Sequence, residues 1–248
     1  MHAGTCTLGL LLNISGTEPV VVDDPLVDAL YRLIRTGELS PGQRVDQRVI
    51  SERLEVSRTP LREALRALAG DGILTRTPNA GYAVTKLSAA ELIQYYSIRA
   101  FLEKEVLGSL AWPSADQLDD LRDCNEQCRT AAEAGALEDL LAANMAFHFT
   151  IFRWSTLTIM VKEIERIWRV SDPYRALHLS NRDRRSNVAH DHDRMIEAVA
   201  AQDAPLLIEL QDAHRASSRM LLQDMLGNGL PPGFMTLPQS AGDLAVRS

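Results

Sequence analysis

Residues 47–82 read QRVISERLEVSRTPLREALRALAGDGILTRTPNAGY: two short helical patterns, a tight turn between them, and a glycine-tipped hairpin behind. That order is the signature of a winged helix-turn-helix, so DNA reading is the first expectation for the chain. The spacing predicts a helix over 47–54 with Val49, Ile50 and Leu54 on its apolar side, while Val56 packs the turn. Ser57 is the expected N-cap of the next helix, its hydroxyl accepting from backbone N–H groups of the first turn. Pro60 lies in that turn, where its missing N–H forfeits no intrahelical bond. Leu61, Leu65 and Leu68 form an i, i+4, i+7 stripe that must be buried, which turns Arg58, Thr59, Arg62 and Arg66 outward or toward the helix start. Gly72 can take a positive φ at the helix end, and 73–76 and 82–85 read as strands around a small tip.

A recognition helix makes its base contacts near its N-terminus, and an arginine fork fits O6 and N7 of guanine or grips phosphate. Ser57, Arg58, Thr59 and Arg62 at that end, Arg48 on the preceding helix and Gly81 at the wing therefore form the candidate DNA-contacting set. The competing reading is a solvated helix whose arginines only pair with Glu52, Glu55 and Glu63.

The run from Pro25 to Val84 resembles the DNA-binding domain of the GntR family of bacterial transcription regulators. The resemblance is carried by Leu39-Ser40-Pro41-Gly42, by Ser57-Arg58-Thr59-Pro60-Leu61-Arg62-Glu63-Ala64-Leu65, and by Leu68, Gly72 and Gly81. It implies DNA contacts at Arg48, Arg58, Thr59 and Arg62, with the wing near Gly81.

Charge is balanced in this region and acidic elsewhere. Residues 20–86 carry 10 Lys/Arg against 9 Asp/Glu, the rest 16 against 24, within a net −7. Affinity for DNA must then come from a few arginines on one face, doubled in a dimer, and the acidic remainder is no second nucleic-acid surface. At 248 residues, 46% hydrophobic and 24% charged, the chain can build one large or two medium cores. Cys6, Cys124 and Cys128 have no metal-knuckle spacing and suit a reduced, cytoplasmic protein, with Cys124 and Cys128 as packing residues one helical turn apart. The apolar run at 8–12 is too short to span a bilayer, and no Lys or Arg precedes it. The expected organisation is mainly α: a disordered arm at 1–19, a winged helix-turn-helix domain at 20–86, an all-helical domain at 87–227, and a disordered tail at 228–248.

Behind the wing the pattern is helical throughout. Helices are expected near 88–111, 115–135, 137–154, 157–171, 183–201 and 203–226, with breaks at Trp112-Pro113-Ser114 and Ser171-Asp172-Pro173. Six helices suggest an antiparallel bundle, whose facing side chains can build an interior site. Asn144 and His148 share one helix face one turn apart. His192 and His214 lie 11 residues either side of Asp203, so two helices folded about that turn bring them to one height. Three imidazoles and an oxygen donor suit zinc, nickel, cobalt or manganese, with positions left for water or a carboxylate. His178 and His190 are read as ordinary core or surface histidines, as a lone helical histidine usually is. Arg99 can pair with Glu103 along its helix, or hold a ligand carboxylate inside the bundle.

This segment, about 87–226, resembles the FCD effector domain that follows GntR-type helix-turn-helix domains. It does so through Tyr96-Ser97-Ile98-Arg99-Ala100-Phe101-Leu102-Glu103, Asn144-Met145-Ala146-Phe147-His148, Asp191-His192, Ala198, Asp203 and His214. The resemblance implies a divalent metal at Asn144, His148, His192 and His214, and an effector that is a carboxylate or sugar acid. Metal-binding members commonly carry Asp where this chain has Asn144, which removes a negative charge from the site. The expectation is a homodimeric, ligand-responsive regulator of operator DNA, most simply a repressor, outside any membrane. A metal-dependent hydrolase fused to a nucleic-acid-binding domain is the alternative. It would need a placed base and an oxyanion stabiliser, and the chain has no HExxH, GxSxG or phosphate-binding glycine loop. A purely architectural DNA-binding protein leaves the interior constellation without a role.

Overall fold

The structure, a computed structural model, describes residues 24–179 and 182–228; the expected N-terminal arm and the tail beyond Asn228 lie outside them. The first element, α1 (Pro25–Arg35), is one that the sequence reading did not delimit. Asp24 caps it by accepting from the Leu26 N–H, and Leu30, Tyr31, Leu33 and Ile34 form its buried face. Helix α2 (Gln47–Arg53) is capped by Asp46 and buries Ile50; Val49 is 46% exposed, because so short a helix turns little more than one position fully inward.

Helix α3 (Arg58–Gly70) buries Leu61, Ala64, Leu65 and Leu68. Ser57 has the extended backbone of an N-cap, but its hydroxyl accepts no bond from the helix. Part of the reason is local: a cap side chain accepts from the second or third helical N–H, and the third residue here is Pro60, which has none, so only Thr59 remains as a donor. Strands β1 (Leu74–Thr77) and β2 (Gly81–Val84) pair antiparallel with Leu74 opposite Val84 and Thr77 opposite Gly81, one residue nearer the tip than the pattern suggested. The hairpin is prolonged by Thr85, whose N–H donates to the Ile73 carbonyl. Asn79 and Gly81, with φ of 60° and 84°, make the reversal.

Six helices follow: α4 (Ala89–Leu107), α5 (Ala115–Ala134), α6 (Leu137–Phe152), α7 (Thr158–Leu179), α8 (Arg182–Ala200) and α9 (Ala204–Asn228). Ser88 with Glu91, and Ser114 with Gln117, close capping boxes on α4 and α5. The break expected at 171–173 does not occur, and α7 runs on with Pro173 inside it. An interior proline costs about 3 kcal/mol. Trp168, Val170, Asp172, Tyr174, Arg175 and Ala176 are all buried around it, so tertiary packing overrides the local preference. Phe147, Phe149, Phe152, Trp168 and Met195 centre the main helical core, and Cys124 and Cys128 pack in the bundle, burial pushing the Cys128 thiol up to about 12. Among the described residues no helix is long and apolar enough to cross a membrane.

The halves of the chain share material. Val170 of α7 belongs to the core formed by Leu30, Ile34, Leu61, Leu65, Leu68, Ile73 and Val84. The Tyr31 hydroxyl donates to Asp172, Arg166 reaches the Asp71 carbonyl, and Arg32 of α1 meets Glu138 of α6 at 3.3 Å. The connection at Leu87 is pinned as well, its N–H donating to the Tyr174 hydroxyl at 2.7 Å.

Candidate DNA-reading face and metal centre

Arg58, Thr59, Arg62 and Arg66 stand on the exposed side of α3, and Arg58, Arg62 and Arg66 form no ion pair among the described residues. Arg48 differs, pairing with Glu52 at 3.1 Å while both side chains remain largely exposed. Such surface pairs are worth about 0–1 kcal/mol and yield readily to a phosphate. Gly81 turns the wing beside α2, the Gln47 side-chain amide lying 4.0 Å from where a Cβ would stand.

The second constellation is interior. His148 from α6, His192 from α8 and His214 from α9 converge, their donor atoms all within 4.8 Å of one another. Zinc with bonds of about 2.1 Å holds tetrahedral donors roughly 3.4 Å apart, so small side-chain rotations would close the set on a cation. The turn about Asp203 does what the spacing anticipated: Gln202 takes φ 56° and Asp203 caps α9 by accepting from Leu206, bringing the two helices together. His148 and His192 are 1% and 0% exposed. Burial, then the neighbouring imidazoles, hold both well below the ordinary histidine range, so they are neutral and keep a lone pair for a metal.

The orientation of two rings is fixed from behind. His192 Nδ1 lies 3.1 Å from Asn125 Oδ1; since the Asn125 amide nitrogen donates to the Ala189 carbonyl and to Asp193, its oxygen is the acceptor. His214 Nδ1 lies 3.0 Å from an Asp191 carboxylate oxygen, an acceptor only. Both contacts place N–H on Nδ1 and leave Nε2 as the nitrogen that faces a metal, the orientation a metal ligand needs. Phe147 stacks on His192 at 3.8 Å between ring centroids. Asn144 Oδ1, both His148 nitrogens and His192 Nε2 are buried without a hydrogen-bond partner among the described residues. Leaving such atoms unpaired costs about 1–3 kcal/mol each, so the chemistry of this donor set fits a cation.

Donors gather next to these acceptors. The Trp168 ring lies 5.2 Å from His148, and the guanidinium carbons of Arg99 and Arg175 stand 4.1 and 3.9 Å from its centroid. Arg99 does form the i, i+4 pair, giving Nε and Nη2 to Glu103 at 2.8 Å, and Glu103 also accepts from Gln211 and Arg215. Burial opposes ionisation of Glu103, but Arg99 and Arg215 outweigh it and its pKa falls. Trp168 Nε1 and Arg175 Nη2, by contrast, are buried donors without a partner among the described residues. The sequence reading missed Asn125, Trp168 and Arg175: Trp168 and Arg175 sit on the stretch read as a helix end, and nothing local links Asn125 to a histidine 67 positions away. His190 is exposed as expected; the side chain of His178 lies outside what is described.

The family description "Bacterial regulatory proteins, gntR family" matches residues 24–84, and "FCD domain" matches 94–217. The Nta operon transcriptional regulator of Aminobacter aminovorans is 35% identical over 128 residues, 51% of this chain and 60% of its own. The transcriptional regulator McbR of Escherichia coli is 29% identical over 140 residues, 56% of this chain and 63% of its own, so the matches span less than two thirds of either relative. The transcriptional repressor RspR of E. coli is 27% identical over 155 residues, covering 58% and 68%. The E. coli McbR/YncC structure superposes with TM-score 0.70 at 21% identity over 82% of this chain and 97% of its own.

Proposed function

The chain belongs to the GntR family of bacterial transcriptional regulators, with an FCD domain behind its helix-turn-helix, and from that premise we propose a homodimeric repressor whose operator affinity is set by a small carboxylate or sugar acid. The helix-turn-helix enters the major groove with the start of α3: Arg58 and Arg62 contact bases or phosphates, Arg48, Ser57 and Thr59 fix the helix on the backbone, and the wing at Gly81 approaches the adjacent groove. Two copies are needed to read two half-sites.

Asn144, His148, His192 and His214 would hold a divalent cation, zinc first, with nickel, cobalt or manganese as alternatives. The observation that carries this is a group of buried acceptors, Asn144 Oδ1, one His148 nitrogen and His192 Nε2, without partners among the described residues. A cation bound there supplies positive charge and open positions for an acid's oxygens. Arg99 adds charge to the same wall, close enough to lower the basicity of His148. The acid changes operator affinity only by binding the two arrangements of the DNA-reading domains unequally. The relatives are regulators, and the hydrolase alternative has no placed base to recommend it.

The test is elemental analysis of protein purified without chelator, followed by zinc reloading and operator titration with and without organic acids. Bound metal, and an acid effect abolished by chelator, support the reading; no metal after reloading and an unaltered acid response defeat it.

A further inference from the structure

Resting on that reading of the pocket, we propose that Arg175 is a second anchor for the acid and that Asp172 ties it to Tyr31 of α1, so that filling the pocket loosens the hold on the DNA-reading domain. A guanidinium has five N–H donors in a rigid fork and can serve two carboxylates at once. Arg99 already spends its Nε and Nη2 on Glu103. Arg175 gives only Nη1 to Asp172, and its Nη2, in a side chain 6% exposed, has no partner among the described residues. It lies over the same tryptophan that packs on His148, and its charge reaches that histidine. An acid whose one oxygen meets the cation can thus place another on Nη2. The ligand class is an anion with at least two oxygen-bearing arms.

The other side of the same guanidinium leads out of the pocket. Asp172, 1% exposed, gives one oxygen to Arg175 and accepts the Tyr31 hydroxyl with the other. Tyr31 sits on α1, which packs on α3 and α7. An anion on Nη2 competes for the charge that Asp172 leans on, and a guanidinium drawn toward it pulls the carboxylate from Tyr31. Pocket and winged domain are then joined through one shared arginine.

The experiment uses zinc-loaded full-length protein titrated by calorimetry with oxalate, malonate, succinate and citrate, followed by hydrogen exchange of α1 amides. Wild type should bind at least one of these and exchange α1 faster by on the order of tenfold, the loss of a hydrogen bond to a charged group. Arg175→Lys, which keeps a cation for Asp172 but loses the fork, should bind zinc normally and the acid about tenfold more weakly. If that variant is unstable, Asp172→Asn with Arg175→Met removes the pair together and should show the same loss. Tyr31→Phe, which lacks the bond the acid must break, should bind the acid more tightly than wild type by up to about tenfold, with no acid-dependent change in α1. Undiminished acid binding in both arginine variants, or an unchanged α1 in wild type, overturns the inference while zinc binding leaves the metal site standing. Failure of wild type to bind zinc, or any of the acids, overturns the pocket reading and the inference with it.

Discussion

Asn144→Asp should move stability in opposite directions without and with metal. Asn144 is 2% exposed and its Oδ1 has no partner among the described residues. A carboxylate there in metal-free protein must either ionise in a dry site or take up a proton. Protonation at pH 7 of a carboxyl whose ordinary pKa is about 3.9 costs roughly 4 kcal/mol, at about 1.4 kcal/mol per pKa unit, and this caps the penalty. Arg99 and Arg175, whose charges reach His148 one turn along α6, would reduce it, so the metal-free loss should be about 1–4 kcal/mol, a fall in Tm on the order of 3–15 °C for a protein of this size. A cation removes the cost, because the carboxylate becomes a charged ligand. Closing the thermodynamic cycle, the variant should bind zinc at least about tenfold more tightly, tenfold being about 1.4 kcal/mol. Calorimetric scans of chelator-treated and zinc-loaded protein, with zinc affinity from chelator competition, measure both halves. A variant with unchanged metal-free Tm and unchanged zinc affinity would show that residue 144 does not face the cation.

Arg58→Ala and Arg62→Ala should each weaken operator binding by about 1–3 kcal/mol if the arginine makes a bidentate base contact, with unfolding unaltered because both are exposed; tight binding by both variants in a mobility-shift titration would remove α3 as the reading helix. Asn125→Ala and Asp191→Asn, which meet the imidazoles on the side away from the cation, should cost roughly 10–100-fold in zinc affinity, measured by the same competition. Metal-free protein should lose stability on acidification: burial depresses His148 and His192 in the fold, the unfolded chain takes up those protons first, and the loss sets in as pH falls through about 6.5. Denaturant midpoints flat between pH 7 and pH 5 would contradict that.

What the sequence made legible was what repeats locally or by symmetry. The leucine stripe at 61, 65 and 68 gave α3 its buried face, and the equal spacing of His192 and His214 about Asp203 anticipated the meeting of α8 and α9. Three things were not legible, for separate reasons. Pro173 looked like a helix end because its neighbours' burial is a tertiary fact. The Ser57 cap looked sound from the serine alone, although Pro60 leaves it one backbone N–H to accept from instead of two. Asn125 and Arg175 act across helices, with no periodicity to announce them.

The place of Val170 in the winged domain's core bears on how such proteins can be recombined. A chimera that joins residues 24–86 to a foreign effector domain would leave a hole where that valine stood, and would lose the partner of the Tyr31 hydroxyl along with it. The unit of exchange is therefore not the helix-turn-helix stretch alone but that stretch together with the middle of α7. Transplants that carry matched residues at 166, 170 and 172 should yield well-folded hybrids more often than those cut at Lys86 alone.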